Sequence, residues 1–137
     1  MKKILFVLIP AVAMVFVMSS CSKDDTNSNI NPSTAQGTWS GTGQYGTSGA
    51  NPTYAFTLNF KADGTVAITG NNSTAIDVAT GTWQMVADSV KATYRYAASS
   101  ANYTLAAKYS ASSNVMVGTI GLSPVTTGVG VFTVTRQ

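Results

Sequence analysis

Few side chains in this 137-residue chain could do chemistry. It contains no histidine, a single cysteine, and five acidic residues, all of which are aspartates. Histidine is the commonest general base, and histidine and cysteine supply most zinc ligands, so this inventory disfavours acid–base and metal catalysis. Asp63 and Asp88 lie in predicted turns, Asp77 stands alone in a loop, and Asp24 and Asp25 lie in a predicted tether. We see no carboxylate pair for glycoside hydrolysis among these scattered positions. We therefore predict that the chain is not an enzyme and needs no metal or cofactor.

The single cysteine, Cys21, follows a segment with the features of a secretory signal peptide. Two lysines precede an uncharged apolar run over residues 4–18, and two small serines follow it. A basic, an apolar and a small-residue region in this order are typical of a signal that directs export and is then removed. The run is shorter than the roughly 20 residues that cross a bilayer, and it contains Pro10, which argues against a permanent membrane helix. We predict a signal peptide over residues 1–20.

The residues around Cys21 resemble two bacterial targeting motifs. The sequence Met18-Ser19-Ser20-Cys21 resembles the lipobox of bacterial lipoproteins, whose cysteine takes a diacylglyceryl group and becomes the mature N-terminus. The alternative is a free thiol after an ordinary signal peptide, but an unpaired cysteine is unusual in an exported protein. The next four residues, Ser-Lys-Asp-Asp, resemble a signal that sends lipoproteins to the outer face of the Gram-negative outer membrane. The resemblance implies attachment to the outer membrane through lipid at Cys21, with display on the cell surface.

Composition divides the exported chain into a tether and one domain. Residues 21–36 are rich in Ser, Asn, Thr and Asp and have no apolar period, which predicts a flexible, lipid-anchored tether. Residues 37–137 remain, about one hundred in all, which is enough for a β-barrel domain with a single core. The precursor has a formal charge of +3, and loss of Lys2 and Lys3 with the signal lowers it to +1. Nothing in this charge indicates a nucleic-acid partner.

The sequence of the domain predicts eight short β-strands. Segments dense in Thr, Val, Tyr and Phe alternate with Gly, Asn, Ser and Asp, and no helical period of about ten residues occurs. In residues 54–61 aromatic and apolar side chains occupy every second position. We therefore expect one face of this strand to be buried and the other to be exposed to solvent. The other predicted strands are 38–45, 65–69, 81–86, 90–96, 103–109, 115–120 and 128–136. Eight strands paired in chain order favour a closed antiparallel up-and-down barrel, because closure removes exposed sheet edges.

The lengths of the connections distinguish the two ends of the predicted barrel. The short turns lie at 62–64, 87–89 and 111–114. The longer connections lie at 46–52, 70–80, 97–102 and 121–127. One end is therefore tightly closed and joins the tether, whereas the other end is fringed by loops and points away from the membrane. An eight-stranded barrel is wide enough either to be filled by side chains or to hold one small ligand at such a mouth.

Aromatic side chains at the loop-fringed end form the candidate ligand site. Tyrosine combines a flat apolar body with a hydroxyl that donates or accepts a hydrogen bond, so a ring of tyrosines suits an amphipathic ligand or a sugar. The predicted binding residues are Tyr45, Tyr54, Trp83, Tyr94, Tyr96 and Tyr103. The alternative is that these tyrosines finish a solid core where it meets water, which the same shape also favours.

Four short motifs carry a family resemblance. They are Gly37-Thr38-Trp39, the hairpin at 60–65, Gly81-Thr82-Trp83 and the closing segment 128–136. With these motifs the domain resembles the lipocalin-like family of small bacterial lipoproteins and, more distantly, lipocalins and avidins, all up-and-down barrels with a ligand cavity. The resemblance implies that Trp39 packs at the closed end under Arg136, as a structural pair. A cation–π contact between them would contribute roughly 0.5–1 kcal/mol if partly exposed.

Two functions remain open at this point. The first is a cell-envelope lipoprotein whose barrel binds a small apolar or amphipathic ligand at the loop-fringed end. The second is a solid barrel that acts through protein–protein contact, as an inhibitor or an accessory subunit of an envelope complex. A continuous cavity of several hundred Å³ between the long loops would favour the first, and a filled interior would favour the second.

Overall fold

The computed structural model describes residues 32–71 and 76–137. The predicted signal peptide, Cys21 and most of the predicted tether lie outside these residues. The elements are α1 (Pro32–Ala35), β1 (Gly37–Tyr45), β2 (Thr53–Phe60), β3 (Thr65–Gly70), β4 (Val78–Val86), β5 (Ser89–Tyr96), β6 (Tyr103–Lys108), β7 (Val115–Leu122) and β8 (Gly128–Arg136). Each strand pairs antiparallel with its neighbours in chain order, and β1 pairs with β8. The predicted eight-stranded, closed up-and-down barrel is confirmed.

The core of the barrel is built by the period-two alternation of its strands. Along β2 the side chains of Phe56, Leu58 and Phe60 are buried, whereas those between them are partly exposed. The rings of Phe56 and Phe132 lie 5.5 Å apart, and the fully buried Met116 and other apolar residues fill the barrel toward its short turns. Burial of each large apolar side chain contributes about 1.5–3 kcal/mol, so this packed part is the source of the domain's stability.

A glycine allows the close approach of β4 and β5. Gly81 pairs with Tyr94 across these strands, and a Cβ atom at Gly81 would overlap the carbonyl oxygen of Thr93. Glycine within a strand often marks a place where another backbone comes close or where the sheet bends to close a barrel. Gly81 therefore lets β4 and β5 come close enough for the sheet to coil into a barrel.

The short helix α1 packs against the closed end of the barrel. Ala35 is fully buried, and its carbonyl oxygen accepts a hydrogen bond from Trp39 Nε1 at 3.0 Å. The carbonyl oxygen of Thr34 accepts hydrogen bonds from the Tyr109 hydroxyl, at 2.7 Å, and from Arg136 Nη2. The sequence predicts a flexible tether in this region. Contacts with Tyr109 and Arg136, which lie far along the chain, instead hold the last residues of the predicted tether against the barrel.

Trp39 and Arg136 lie side by side where β1 meets β8. The two residues are direct partners in the β1–β8 register, and the Arg136 Cζ atom lies 4.7 Å from the centroid of the indole. Tyr109 meets the same indole edge-on at a centroid distance of 6.0 Å. Trp39 is fully buried whereas Arg136 is exposed, so the guanidinium covers the indole on its solvent side. This cluster seals the closed end of the barrel.

Candidate ligand-binding site

A cavity of about 310 Å³ opens among the long connections, at the end of the barrel opposite Trp39. We refer to it as the tyrosine cavity. Its described lining residues are Tyr45, Tyr54, Gly70, Asn71, Ile76, Asp77, Tyr94, Tyr96, Ala98, Ser99, Tyr103, Ile120 and Val129. The lining includes all five tyrosines that the sequence places at the loop-fringed end. The barrel is therefore packed below this level and hollow at its mouth.

Two tyrosines form the wall of the tyrosine cavity on β1 and β2. The rings of Tyr45 and Tyr54 lie 4.7 Å apart at an interplanar angle of 37°. Tyr54 also meets the edge of Phe56, two residues along the same strand, at 5.9 Å. Gly43 pairs with Tyr54, and a Cβ atom there would overlap the Tyr54 ring, so the absent side chain lets this ring lie across β1. The wall thus depends on a glycine placed opposite an aromatic residue.

The other three tyrosines form the facing wall on β5 and β6. Tyr94 and Tyr103 are direct partners in the β5–β6 register, and their rings stack at 5.7 Å with an interplanar angle of 22°. Tyr96 meets both rings edge-on, at 5.7 Å and 5.6 Å. Because residues two apart on a strand share a face, Tyr94 and Tyr96 both point inward. Contacts of these kinds stabilise aromatic pairs beyond the area they bury, so the three rings hold one another in place.

The electrostatics of the tyrosine cavity keep its buried hydroxyls neutral. Burial raises the pKa values of Tyr54 and Tyr94 well above the usual tyrosine range, and neighbouring tyrosines add to both shifts. Burial, with a contribution from Tyr45, raises the pKa of Tyr96 to about 12. Tyr45 and Tyr54 of one wall and Tyr96 of the other line the same cavity. At neutral pH these three hydroxyls can donate and accept hydrogen bonds, but they provide no phenolate base.

A β-bulge supplies part of the apolar lining. Ile120 pairs with Gly130 and Gly121 pairs with Gly128, so Val129 has no partner in the β7–β8 register. A bulge of this kind changes the direction of a side chain and is common beside binding sites. Val129 consequently lines the cavity next to the buried Ile120.

The β3–β4 connection supplies the charged edge of the tyrosine cavity. Asp77 is the single charged residue among the described residues that line it, and its backbone carbonyl accepts a hydrogen bond from the Gly70 N–H at 2.8 Å. Asn71, at the start of the connection, has a positive φ of 43° and donates its N–H to the Ala55 carbonyl at 2.8 Å. Neither residue was predicted as part of the site, because sequence periodicity carries no information about loop positions.

The β7–β8 connection leaves the mouth open on its side of the barrel. The Thr104 hydroxyl donates a hydrogen bond to the Val125 carbonyl at 2.5 Å, and the Thr119 hydroxyl donates to the Thr126 carbonyl at 2.8 Å. Thr104 and Thr119 alternate with inward-facing residues and therefore point outward. The connection is thus bound to the outer surface of the barrel, away from the tyrosine cavity.

Trp83 does not lie with the tyrosines. Its ring packs against Phe60 at 5.1 Å, and its Nε1 donates a hydrogen bond to the Lys61 carbonyl at 2.8 Å, in the short β2–β3 turn. The prediction started β4 at Gly81, whereas the strand starts at Val78, and the earlier start carries Trp83 toward the closed end. We therefore exclude Trp83 from the candidate site.

Metal ligands, membrane helices and similarity to known proteins were each considered as further indications of function. Within residues 32–71 and 76–137, no group of three or more His, Cys, Asp or Glu side chains could hold a metal ion. In the same ranges no helix has the length and apolar character needed to span a membrane. Comparisons with protein families, with characterised proteins and with solved structures found no match to this chain. Function is therefore inferred from the geometry of the tyrosine cavity.

Proposed function

We propose that this protein is a cell-envelope lipoprotein whose barrel binds a small apolar or amphipathic ligand in the tyrosine cavity. The observation that carries the proposal is the cavity of about 310 Å³, walled by Tyr45, Tyr54, Tyr94, Tyr96 and Tyr103. Its volume falls at the lower end of the range typical of small-molecule sites. A cavity of this size between the long connections favours ligand binding over a solid barrel that acts through protein–protein contact.

The chemistry of the lining supports an amphipathic ligand. Ile120 and Val129 offer apolar surface at the side of the cavity, and the tyrosine rings offer flat apolar faces. Hydroxyl groups, Asn71 and Ser99 offer a small number of hydrogen-bonding groups toward the opening. Apolar walls with a few polar groups are the usual composition of a site that orients a small molecule.

The position of the N-terminal segment supports the proposed orientation on the membrane. Residues 32–36 reach the barrel at its closed end, beside Trp39, and the tyrosine cavity opens at the opposite end. Lipid at Cys21 would hold the closed end toward the membrane and present the mouth outward. We propose the outer membrane, with display on the cell surface, as the site of this anchoring.

Filling the cavity should abolish ligand binding. In Val129→Trp, the larger side chain would project from the bulge of β8 into the space between the tyrosine walls. We expect native mass spectrometry of the full chain, incubated with an organic extract of the bacterial envelope, to show a saturable small-molecule adduct on the unaltered protein and none on this variant.

The matched control for this experiment is Val117→Trp. Val117 is 59% exposed on the outer face of β7, so the same substitution there should leave the adduct intact. Thermal unfolding of both variants would show that the barrel still folds. Absence of any saturable adduct on the unaltered protein, or equal adducts on the two variants, would contradict the proposed function.

Anchoring through Cys21 has its own test. We expect Cys21→Ser to move the protein from the membrane fraction to the soluble fraction, because the serine hydroxyl cannot take the thioether-linked lipid. The melting temperature should not change, since the substitution lies outside the described barrel. Ser28→Ala, in the same predicted tether, should remain membrane-bound. Retention of Cys21→Ser in washed membranes would show that the lipoprotein assignment is wrong.

A further inference from the structure

The described lining of the tyrosine cavity carries a negative charge and no positive charge. Asp77 is the single charged residue among its described lining residues. The basic residues of β5, Lys91 and Arg95, are exposed and alternate with the inward-facing positions. An anionic ligand would therefore meet a negative group and no lysine or arginine of the described lining.

The aromatic walls add to this preference. The face of an aromatic ring is the negative side of its quadrupole and attracts a cation that lies within about 6 Å of the centroid. The Tyr45–Tyr54 pair and the Tyr94–Tyr96–Tyr103 group line the same small cavity. Such groups of aromatic rings are a recurring way to bind quaternary and methylated ammonium groups, which are too weakly hydrated to resist desolvation.

We propose that the tyrosine cavity selects small organic cations, of which the trimethylammonium group is the simplest example, over neutral and anionic molecules of the same shape. This inference rests on the proposed binding function and specifies its ligand class. The rings surround the alkylated nitrogen, Asp77 supplies the opposite charge at the edge, and Asn71 and Ser99 can bond a polar substituent on the ligand. A neutral sugar would use the same hydroxyls and ring faces but would gain nothing from the carboxylate.

The test compares three probes of nearly equal shape by isothermal titration calorimetry with the full chain. Choline carries the cation, 3,3-dimethylbutan-1-ol replaces its nitrogen by carbon, and 3,3-dimethylbutanoate carries a negative charge. We expect choline to bind at least tenfold more tightly than the alcohol and the carboxylate to bind most weakly. Added salt should weaken the binding of choline but not that of the alcohol, because only choline is attracted by charge.

Substitution of Asp77 tests whether choline is recognised by its charge or only by its shape. Asp77→Asn should weaken the binding of choline several-fold and leave the binding of the alcohol unchanged, whereas Asp77→Glu should restore much of the loss. Asp63→Asn is the matched control, since Asp63 lies in the short β2–β3 turn, where its carboxylate accepts hydrogen bonds from the Thr65 N–H and hydroxyl. This variant should bind choline as the unaltered protein does.

The possible results distinguish this inference from the function on which it rests. Equal or tighter binding of the alcohol or the carboxylate would overturn the preference for cations and leave the binding function in place. If none of the three probes binds, the preference for cations is also overturned, and the envelope-extract experiment with Val129→Trp decides the binding function separately. An adduct identified there as a neutral glycan would likewise overturn the cation preference.

Discussion

Replacing Trp39 with alanine is expected to lower the free energy of unfolding by about 3–5 kcal/mol, the usual cost of removing a large buried aromatic side chain. Trp39 is fully buried, its ring contacts Tyr109 and Arg136, and its indole N–H satisfies the carbonyl of the buried Ala35. Small domains are stable by roughly 5–15 kcal/mol, so this single change removes a large part of the total. Urea unfolding followed by the fluorescence of the remaining tryptophan, Trp83, would measure the loss.

Two further variants measure the contributions of the Trp39 hydrogen bond and of its cation–π contact separately. Trp39→Phe keeps an aromatic ring but leaves the Ala35 carbonyl without its donor, which should cost about 1–3 kcal/mol. Arg136→Gln removes the cation above the indole, and the lost cation–π contact alone should cost about 0.5–1 kcal/mol. A Trp39→Ala protein within about 1 kcal/mol of the unaltered protein would show that this cluster does not seal the closed end, contrary to the expected cavity cost.

Much of the fold follows from the alternation of apolar and polar residues along each strand, which is visible directly in the sequence. In β2 every second residue is aromatic or apolar, and these are the residues that the barrel buries. The short turns and long connections sort correctly between the two ends, because antiparallel neighbours in chain order leave few other arrangements. The exception at the closed end is α1. Its order depends on hydrogen bonds from Tyr109 and Arg136, which are far away in the sequence and invisible to any local pattern.

The candidate site was predictable only where it lies on strands. Tyr94, Tyr96 and Tyr103 share an inward face by alternation, and the structure brings them together. Trp83 was misplaced because the start of a strand is a weak signal, and three additional residues at the start of β4 moved it to the other end of the barrel. Val129 was missed because a bulge breaks the alternation on which the prediction depends.

The stability of the barrel should fall steeply with rising pH above about 10. Unfolded tyrosines ionise near pH 10, whereas burial keeps Tyr54 and Tyr94 protonated well beyond that value and raises the pKa of Tyr96 to about 12. The folded state then binds more protons than the unfolded state, so stability that is fully present below pH 10 is lost as pH rises toward the folded pKa values. Tyr94, the most deeply buried of the three, contributes up to about 1.4 kcal/mol per pH unit. Tyr54 and Tyr96 contribute less, because solvent reaches their hydroxyls more easily and screens them.

Two measurements test this dependence. Absorbance of the phenolate at 295 nm should show that the Tyr54, Tyr94 and Tyr96 hydroxyls ionise well above pH 10 or together with unfolding. Urea unfolding between pH 9 and 11.5 should show a shallower loss of stability for Tyr94→Phe, because this variant keeps the stacked ring and lacks the buried hydroxyl. Ionisation of all six tyrosines near pH 10 in the folded protein would contradict the burial of these hydroxyls. It would also count against the neutral hydroxyls that the proposed ligand site uses as hydrogen-bond donors and acceptors.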